Sequence, residues 1–241
     1  MSAELKSLDG LSPALREPIR RYAERIRELH GANALGLSLY GAAAAGLFDP
    51  ARHVAHNVLI LNAVDLEALK RLAGDLPEYR AARIAHPVVL TPDYIRASLD
   101  TFPLELIELH QRHVVIFGDD HFGALEFDVG HVRLQCEREL KAMLLAMRQA
   151  LLLSEGRDAR IAELTKHAGD GILRTIRGLL WLKGHREAIP GKQAIQMIEA
   201  ILDRQLSGVR SLLDEHSARD WSHFQTLYGD LDALGSHADR W

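Results

Sequence analysis

The chain has little of several features that mark specialised classes of protein. It contains one cysteine, Cys136, in 241 residues, which excludes an intrachain disulfide. No apolar run approaches the roughly 20 residues that a membrane-spanning helix needs. Lysine and arginine do not outnumber the acids, and the net charge of −4 gives no general attraction to nucleic acid or anionic lipid. We therefore expect a cytoplasmic protein without a membrane span, and nucleic acid is not an expected partner.

The first half of the chain mixes helical and strand patterns. Apolar residues at spacings of three or four predict helices, whereas short β-rich or alternating runs predict strands. The predicted helices cover residues 15–29, 65–76 and 92–99. The predicted strands cover residues 34–40, 57–61, 85–90, 102–109 and 114–117. This order predicts a mixed-sheet α/β domain over residues 1–128.

The pattern changes after Gly130, because no β-rich run follows it. Apolar residues at helical spacing predict helices over residues 132–151, 161–182, 195–213 and 221–234. Cys136 lies within the first of these and is predicted to be a buried helix residue rather than a nucleophile. Short connections between the helices predict a bundle over residues 129–241. The fold class expected for the whole chain is α+β.

A small-residue turn, Tyr40-Gly41-Ala42-Ala43-Ala44-Ala45-Gly46, follows the first predicted strand, and the next begins near His56-Asn57-Val58-Leu59. This order of elements resembles the core of the polymerase-β-like nucleotidyltransferases. In active members of that superfamily, a Gly-Ser after the first strand contacts the triphosphate, and an Asp-x-Asp on the next strand binds two magnesium ions. Here Gly41-Ala42 stands in place of Gly-Ser, and Asn57-Val58-Leu59 in place of Asp-x-Asp.

The resemblance implies a degenerate member. Divalent ions of this kind require several anionic oxygen ligands, whereas Asn57 offers a neutral carbonyl oxygen and Leu59 offers none. The third carboxylate of the superfamily lies on a later strand, where Glu105 or Glu108 is the candidate. One acid alone is a poor two-metal site. We therefore predict no catalytic residue, metal or cofactor.

Three stretches are also similar to an uncharacterised bacterial group with the same two-part layout, a similarity that implies no substrate. They are residues 91–95, 102–105 and 134–141. The residues predicted to bind a nucleotide are Gly41, Ala42, Asn57, Glu105, Arg133 and Arg138. For the two arginines the alternative is ion pairing along their own helix, where Glu137 and Lys141 lie at suitable spacings.

The preferred hypothesis is a non-catalytic nucleotidyltransferase-like protein that binds a nucleotide or a protein partner. One alternative is an active enzyme acting on a small molecule or tRNA, with Mg²⁺ held by acids such as Asp49, Asp65 or Glu105. Another is a structural or regulatory interaction module, including a homodimer through the bundle. An unrelated α/β domain, in which the Ala-rich turn is only a tight packing site, also stays open.

Other polar clusters have simpler explanations. Histidines are numerous in residues 53–131, where a metal site is the alternative to surface histidines. Arg174, Arg177 and Lys183 share a helix with Trp181, where a solvated helix face is expected and contact with RNA is the alternative.

Overall fold

The computed structural model describes residues 5–155, 157, 169–214 and 220–238. The chain divides into two compact units, one formed by Met1–Ser98 with Leu109–Glu126 and the other by Leu99–Glu108 with Phe127–Trp241. The first unit holds a mixed four-stranded sheet with helices, and the second is helical in its described part. The expected α+β class is confirmed.

The elements of the first unit follow the predicted order. They are α1 (Pro13–His30), a 3₁₀ turn (Gly31–Asn33), β1 (Ala34–Tyr40), β2 (His56–Leu61), α2 (Leu66–Ala81), β3 (Val88–Leu90), α3 (Pro92–Ala97) and β4 (His113–Gly118). The start of α3 is fixed by its cap: the Thr91 hydroxyl accepts a hydrogen bond from the Tyr94 amide, and Pro92 occupies the first turn.

The sheet has the strand order β3-β2-β1-β4. The central strand β1 is antiparallel to both β2 and β4, while β2 and β3 are parallel. Consequently, β2 and β4 begin at the edge where β1 ends. In the register of the sheet, Tyr40 at the end of β1 is paired with His56 on one side and His113 on the other.

One face of the sheet is covered by α1. The helix buries Leu15, Ile19, Tyr22, Ala23 and Ile26, and these side chains belong to the same apolar cluster as Leu37, Leu39, Leu59 and Leu61 of the sheet. Burial of one such aliphatic side chain contributes about 1.5–3 kcal/mol. Because successive side chains of a strand alternate between faces, Leu37 and Leu39 of β1 share the face that α1 covers with Leu59 and Leu61 of β2.

The second unit consists of helices in its described part. They are α5 (Val129–Leu153), α6 (Gly169–Leu182), α7 (Gly191–Leu202), α8 (Ser207–Ser211) and α9 (Trp221–Ala238). The unit also contains most of α4 (Pro103–Gln111), of which the last three residues belong to the first unit. The part of the predicted helix 161–182 that precedes residue 169 lies outside the described residues. No helix in the described ranges combines the length and the hydropathy that a membrane span requires.

Cys136 lies in the core of the second unit. Its side chain is buried, with Sγ 3.9 Å from the carbonyl oxygen of Thr175. Burial raises the pKa of the Cys136 thiol to about 12, so the thiol stays protonated at neutral pH. It packs as a small apolar side chain.

Two carboxylates hold the short helix α8 in place. Asp230 on α9 accepts hydrogen bonds from the Gly208 and Val209 amides at 2.8 and 3.1 Å. Glu199 on α7 accepts one from the Leu206 amide at 2.8 Å. A helix of one turn has little stability of its own, so these long-range contacts fix its position.

The predicted strand over residues 102–109 is wrong, because the segment forms α4. Its alternation of apolar and acidic residues suggested a period of two. However, Leu104 and Ile107 are three residues apart, as are Leu106 and Leu109. All four side chains are buried. Pro103 at the first helical position also suits a helix start.

His30, the last residue of α1, is buried, and neither ring nitrogen has a hydrogen-bond partner among the described residues. Burial lowers the pKa of His30. Among the nearby charged groups, Asp65 raises this pKa and Arg71 lowers it. The unfolded chain therefore binds more protons at this site than the folded chain. The contribution of His30 to the free energy of unfolding is therefore fully present above the pKa of the unfolded chain, about 6.5, and it is lost as the pH falls toward the lower pKa of the folded chain.

We predict that replacing His30 with leucine makes the unfolding free energy less dependent on pH between 7.5 and 5.5. Urea unfolding at several pH values measures this slope. The exposed His131 provides the matched control, since His131→Leu should leave the slope of the parent protein unchanged. Equal slopes for the parent and His30→Leu would contradict the assignment.

Candidate functional site

The turn between β1 and β2 begins where the sheet ends. Gly41 and Gly46 have φ angles of +68° and +70°, which side chains with a Cβ rarely adopt. Between them the chain makes one helical turn, closed by hydrogen bonds from the Ala45 amide to Gly41 O and from the Leu47 amide to Ala42 O, each 3.1 Å long. Ala43 is buried. The glycines are therefore required by the backbone, and part of the alanine run is required by packing.

The alternation along β2 decides which side chains are available to a ligand. Asn57, Leu59 and Leu61 point to the face covered by α1, because Asn57 contacts Tyr22 and both leucines lie in that core. His56 and Val58 therefore point to the opposite face. His56 is exposed, whereas Val58 is buried.

Asn57 is 1% exposed, and its side-chain amide is fully engaged. The Tyr22 hydroxyl donates to Asn57 Oδ1 at 3.2 Å, and Asn57 Nδ2 donates to the Ala85 carbonyl at 2.8 Å. Burial raises the pKa of Tyr22, which keeps the phenol in its donating form. Asn57 thus links β2 to α1 and to the segment before β3, and a nucleotide contact through this side chain stays a prediction.

The other acids named as substitutes have partners of their own. Asp49 Oδ1 accepts from the Ala51 amide at 2.9 Å in the loop before β2. Asp65 caps α2, and hydrogen bonds from the Ala68 and Glu67 amides lower its pKa against the opposing effect of burial. Asp65 also follows the far end of β2, so a strand length separates it from the turn.

Glu105 lies on α4 in the second unit, not on a strand of the sheet. Its carboxylate accepts hydrogen bonds from Arg174 Nη1 and from Gln135 Nε2, both at 2.9 Å. The neighbouring Glu108 accepts from Arg177 Nη1 at 2.7 Å and from Arg174 Nε at 3.4 Å. These contacts fix residues 99–108 to α5 and α6 within the second unit.

The same network contains Arg174 and Arg177 of α6, the two arginines for which contact with RNA was the alternative interpretation. Arg174 and Arg177 are partly buried and ion-paired, so they do not form the solvated face expected from the sequence. Although burial opposes the charge, Glu108 and Glu105 raise the pKa of Arg174. Trp181 on this helix is 6% exposed, with the Arg186 guanidinium 3.4 Å from its ring centroid.

The predicted arginines of α5 also have local contacts. Arg133 Nη1 donates to Glu137 Oε1 at 2.5 Å, with Lys141 Nζ 3.7 Å from the same carboxylate. Arg138 Nη2 donates to the Thr101 carbonyl at 3.2 Å. Of the six predicted contact residues, Gly41, Ala42 and Asn57 lie in the first unit, and Glu105, Arg133 and Arg138 in the second. Nucleotide binding by this set stays a prediction.

The residues at the start of β2 do not fit a two-magnesium site. His56, Asn57, Val58 and Leu59 offer an imidazole, one neutral amide oxygen and two aliphatic side chains, and the amide oxygen already accepts from Tyr22. Magnesium binds hard oxygen ligands. Across the described residues, no group of three or more His, Cys, Asp or Glu side chains could hold a metal ion.

Sequence reasoning missed His56, an exposed residue at the start of β2 beside the turn. Its ring is 5.5 Å from the ring of Tyr40, its cross-strand neighbour, and its Cδ2 lies 3.8 Å from the position that a Cβ on Gly41 would occupy. The sequence of β2 did not mark this residue, because Val58 and Ile60 on the same side of the strand as His56 are as apolar as Leu59 and Leu61.

No protein-family model and no curated protein matches the chain. Among solved structures, the chain is similar to the spectinomycin adenyltransferase AAD(9) from Enterococcus faecialis, whose structure was determined with ATP and spectinomycin. The TM-score is 0.59 at 10% sequence identity, and the match covers 92% of this chain and 98% of that one. The chain has a nucleotidyltransferase-like fold. At this identity the likeness concerns the fold, and the chemistry depends on the residues present.

An acid placed at position 57 tests which face of the sheet this side chain of β2 occupies. A buried aspartate there cannot donate to Ala85 O, so we expect Asn57→Asp to lower the unfolding free energy by about 1–3 kcal/mol. The matched variant His56→Asp places the same group at an exposed position and should change stability by less than about 0.5 kcal/mol. Urea unfolding compares the two. Equal stabilities would contradict the assignment of the faces.

Glu105 is expected to act within the helical unit of the nucleotidyltransferase-like fold. We predict that Glu105→Ala lowers the unfolding free energy by about 1 kcal/mol, and by less in high salt, because the pair with Arg174 is partly exposed and screened. Glu187→Ala, at an exposed position on the same unit, is the control and should be neutral. A neutral Glu105→Ala would show that the network has no role in stability.

Proposed function

We propose that this protein is a non-catalytic member of the nucleotidyltransferase fold, which binds a nucleotide at the edge formed by the β1–β2 turn and does not transfer the nucleotidyl group. The observation that carries the proposal is the alternation of β2. Its polar residue Asn57 is buried and fully hydrogen-bonded, and its exposed residue His56 is an imidazole where a metal ligand would have to be a carboxylate.

The chemistry of phosphoryl transfer explains why the identity of these two residues of β2 matters for turnover. In-line phosphoryl transfer needs metal ions that neutralise the charge developing on the attacking and leaving oxygens. An imidazole N–H donates one hydrogen bond and does not replace two divalent cations. A nucleotide can still bind without this neutralisation, because binding needs only contacts to the ground state.

The structural neighbour supports the choice of ligand. The structure of that adenyltransferase contains ATP, and this chain aligns with nearly its whole length. The active-enzyme alternative has less support, since Asp49, Asp65 and Glu105 each accept hydrogen bonds from groups in their own unit.

The test combines a binding and a turnover measurement on the full chain. We expect at least one of the four nucleoside triphosphates to raise the melting temperature, and none to release pyrophosphate with Mg²⁺ or Mn²⁺, with or without spectinomycin as acceptor. Pyrophosphate release that Glu105→Ala abolishes and Glu187→Ala does not would establish the active alternative. A melting temperature unchanged by all four triphosphates would contradict nucleotide binding.

A further inference from the structure

A cleft of about 400 Å³ lies between α7 and the segment of α8 in the second unit. Its volume is within the range of sites that bind small molecules. One wall belongs to α7, and the other to α8 and the turn that follows it. The described residues that line the cleft are Lys192, Ile195, Gln196, Arg210, Leu213 and Asp214.

Glu199 of α7 links the two walls of the cleft. Its Oε1 accepts a hydrogen bond from the Leu206 amide at 2.8 Å, and its Oε2 accepts one from the Arg210 guanidinium. Arg210 and Leu213 are joined in turn, because the Leu213 amide donates to the Arg210 carbonyl at 3.2 Å. The lining residues of α7 are three or four positions apart and therefore share one face of that helix. Both walls are thus positioned by the fold.

Lys192 provides a cation at the cleft whose charge is not compensated within the protein. Its side chain is exposed, and no described residue forms a hydrogen bond or an ion pair with it. Arg210 donates to Glu199 through Nη2, and a guanidinium has further N–H groups that can donate to a ligand. The donors on the two walls therefore suit an anionic group.

The helix that carries Lys192 adds to this preference. α7 begins at Gly191, directly after Pro190, and none of the side chains in the described ranges caps it. The first amides of a helix have no partner within the helix, and its dipole favours negative charge at that end. Because Lys192 lies in this first turn, the field of the helix and the charge of the ammonium act in the same direction.

The acids near the cleft limit the charge of the ligand. Glu199 balances the charge of Arg210. Asp214 is an exposed acid in the described part of the lining. These two carboxylates oppose the accumulation of several negative charges, as in a polyphosphate. A ligand with one negative charge fits the arrangement better.

The surface between the donors is apolar. Ile195 is 1% exposed and belongs to the core of the second unit, and the partly buried Leu213 packs against the same core. An aliphatic or aromatic group on this surface would gain the free energy of apolar burial. The ligand class is therefore an anion that also has an apolar body.

We propose that this cleft binds a small organic carboxylate, with its charged group at Lys192 and Arg210 and its apolar body on Ile195 and Leu213. The proposal goes beyond the proposed nucleotide binding, since the cleft lies in the second unit and uses no residue of the β1–β2 turn.

The test titrates the ¹⁵N-labelled full chain with straight-chain carboxylates from butanoate to octanoate and follows the amide signals by NMR. We expect the signals of Lys192, Gln196 and Leu213 to shift. Each added methylene should raise the affinity about threefold, because it enlarges the apolar area that is buried. Higher ionic strength should weaken the binding of hexanoate, because salt screens the charge of Lys192.

Two other probes serve as controls for the chemistry of the ligand. Hexylamine has the same chain as hexanoate with the opposite charge, and inorganic phosphate is an anion without an apolar body. Each should bind more weakly than hexanoate by about tenfold or more.

Two variants locate the site. Lys192→Met removes the charge and keeps an apolar side chain, so it should weaken hexanoate binding about tenfold. The matched control Lys70→Met, at an exposed lysine of the first unit, should leave it unchanged. Gln196→Trp, at an exposed position of α7, places an indole in the cleft and should abolish binding. Melting curves confirm that each variant is folded.

Several results would overturn the proposal. They are the absence of shifts in the cleft signals with every carboxylate, equal binding of hexanoate and hexylamine, equal binding of hexanoate and phosphate, and an affinity that Lys192→Met does not change. None of these results bears on the proposed binding of a nucleotide at the β1–β2 turn, so failure of one proposal is distinguishable from failure of the other.

Discussion

The pairing of β1 with β2 is the constraint on which the structure of the first unit depends. Once Leu39 lies opposite Asn57 and Leu37 opposite Leu59, strand alternation assigns every side chain of β2 to a face. The odd positions meet Tyr22 and the other apolar residues of α1, and the even positions meet the opposite face. A shift of one residue would turn His56 and Val58 toward α1 and Asn57 and Leu59 to the opposite face. The packing of β2 against α1 therefore determines that His56 points away from α1 at the edge of the sheet.

Much of the fold could be predicted because its periodic signals are local. The helical spacing of Leu15, Ile19 and Ile26 and the switch to helices after Gly130 both follow from burial of one face of a helix. The prediction for residues 102–109 was wrong because Leu104-Glu105-Leu106 alternates like a strand, whereas Glu105 and Glu108 are three residues apart, as on one face of a helix. Glu105 and Glu108 are spaced to face Arg174 and Arg177, more than 60 positions away along the chain. Sequence periodicity carries no information about such a partner, so the helix and its ion pairs could not be recognised together.

The candidate site also combines features that the sequence shows with features that depend on tertiary contacts. The Gly41 turn and the loss of the Asp-x-Asp pattern were visible in the sequence, because positive φ angles require glycine and magnesium requires acids. Which residue of β2 faces outward was not visible from composition, and Asn57 was the natural choice as the polar residue of the strand. Its two hydrogen bonds, to Tyr22 and Ala85, are tertiary contacts. Each group of this buried amide has a partner in the fold, which accounts for its burial without a ligand, and its contact with a nucleotide stays a prediction.

The packing also explains why a metal site would not return by a single substitution. Two carboxylates at alternate positions on the face opposite to α1 would have to replace His56 and Val58. The first is exposed and tolerates a charge, whereas Val58 is 0% exposed, and an ionised carboxylate there would lose its hydration without a compensating partner. Magnesium itself could supply that compensation only after both acids were present. A sequence with only one of the two acids therefore either buries an uncompensated charge or offers a single carboxylate to a metal.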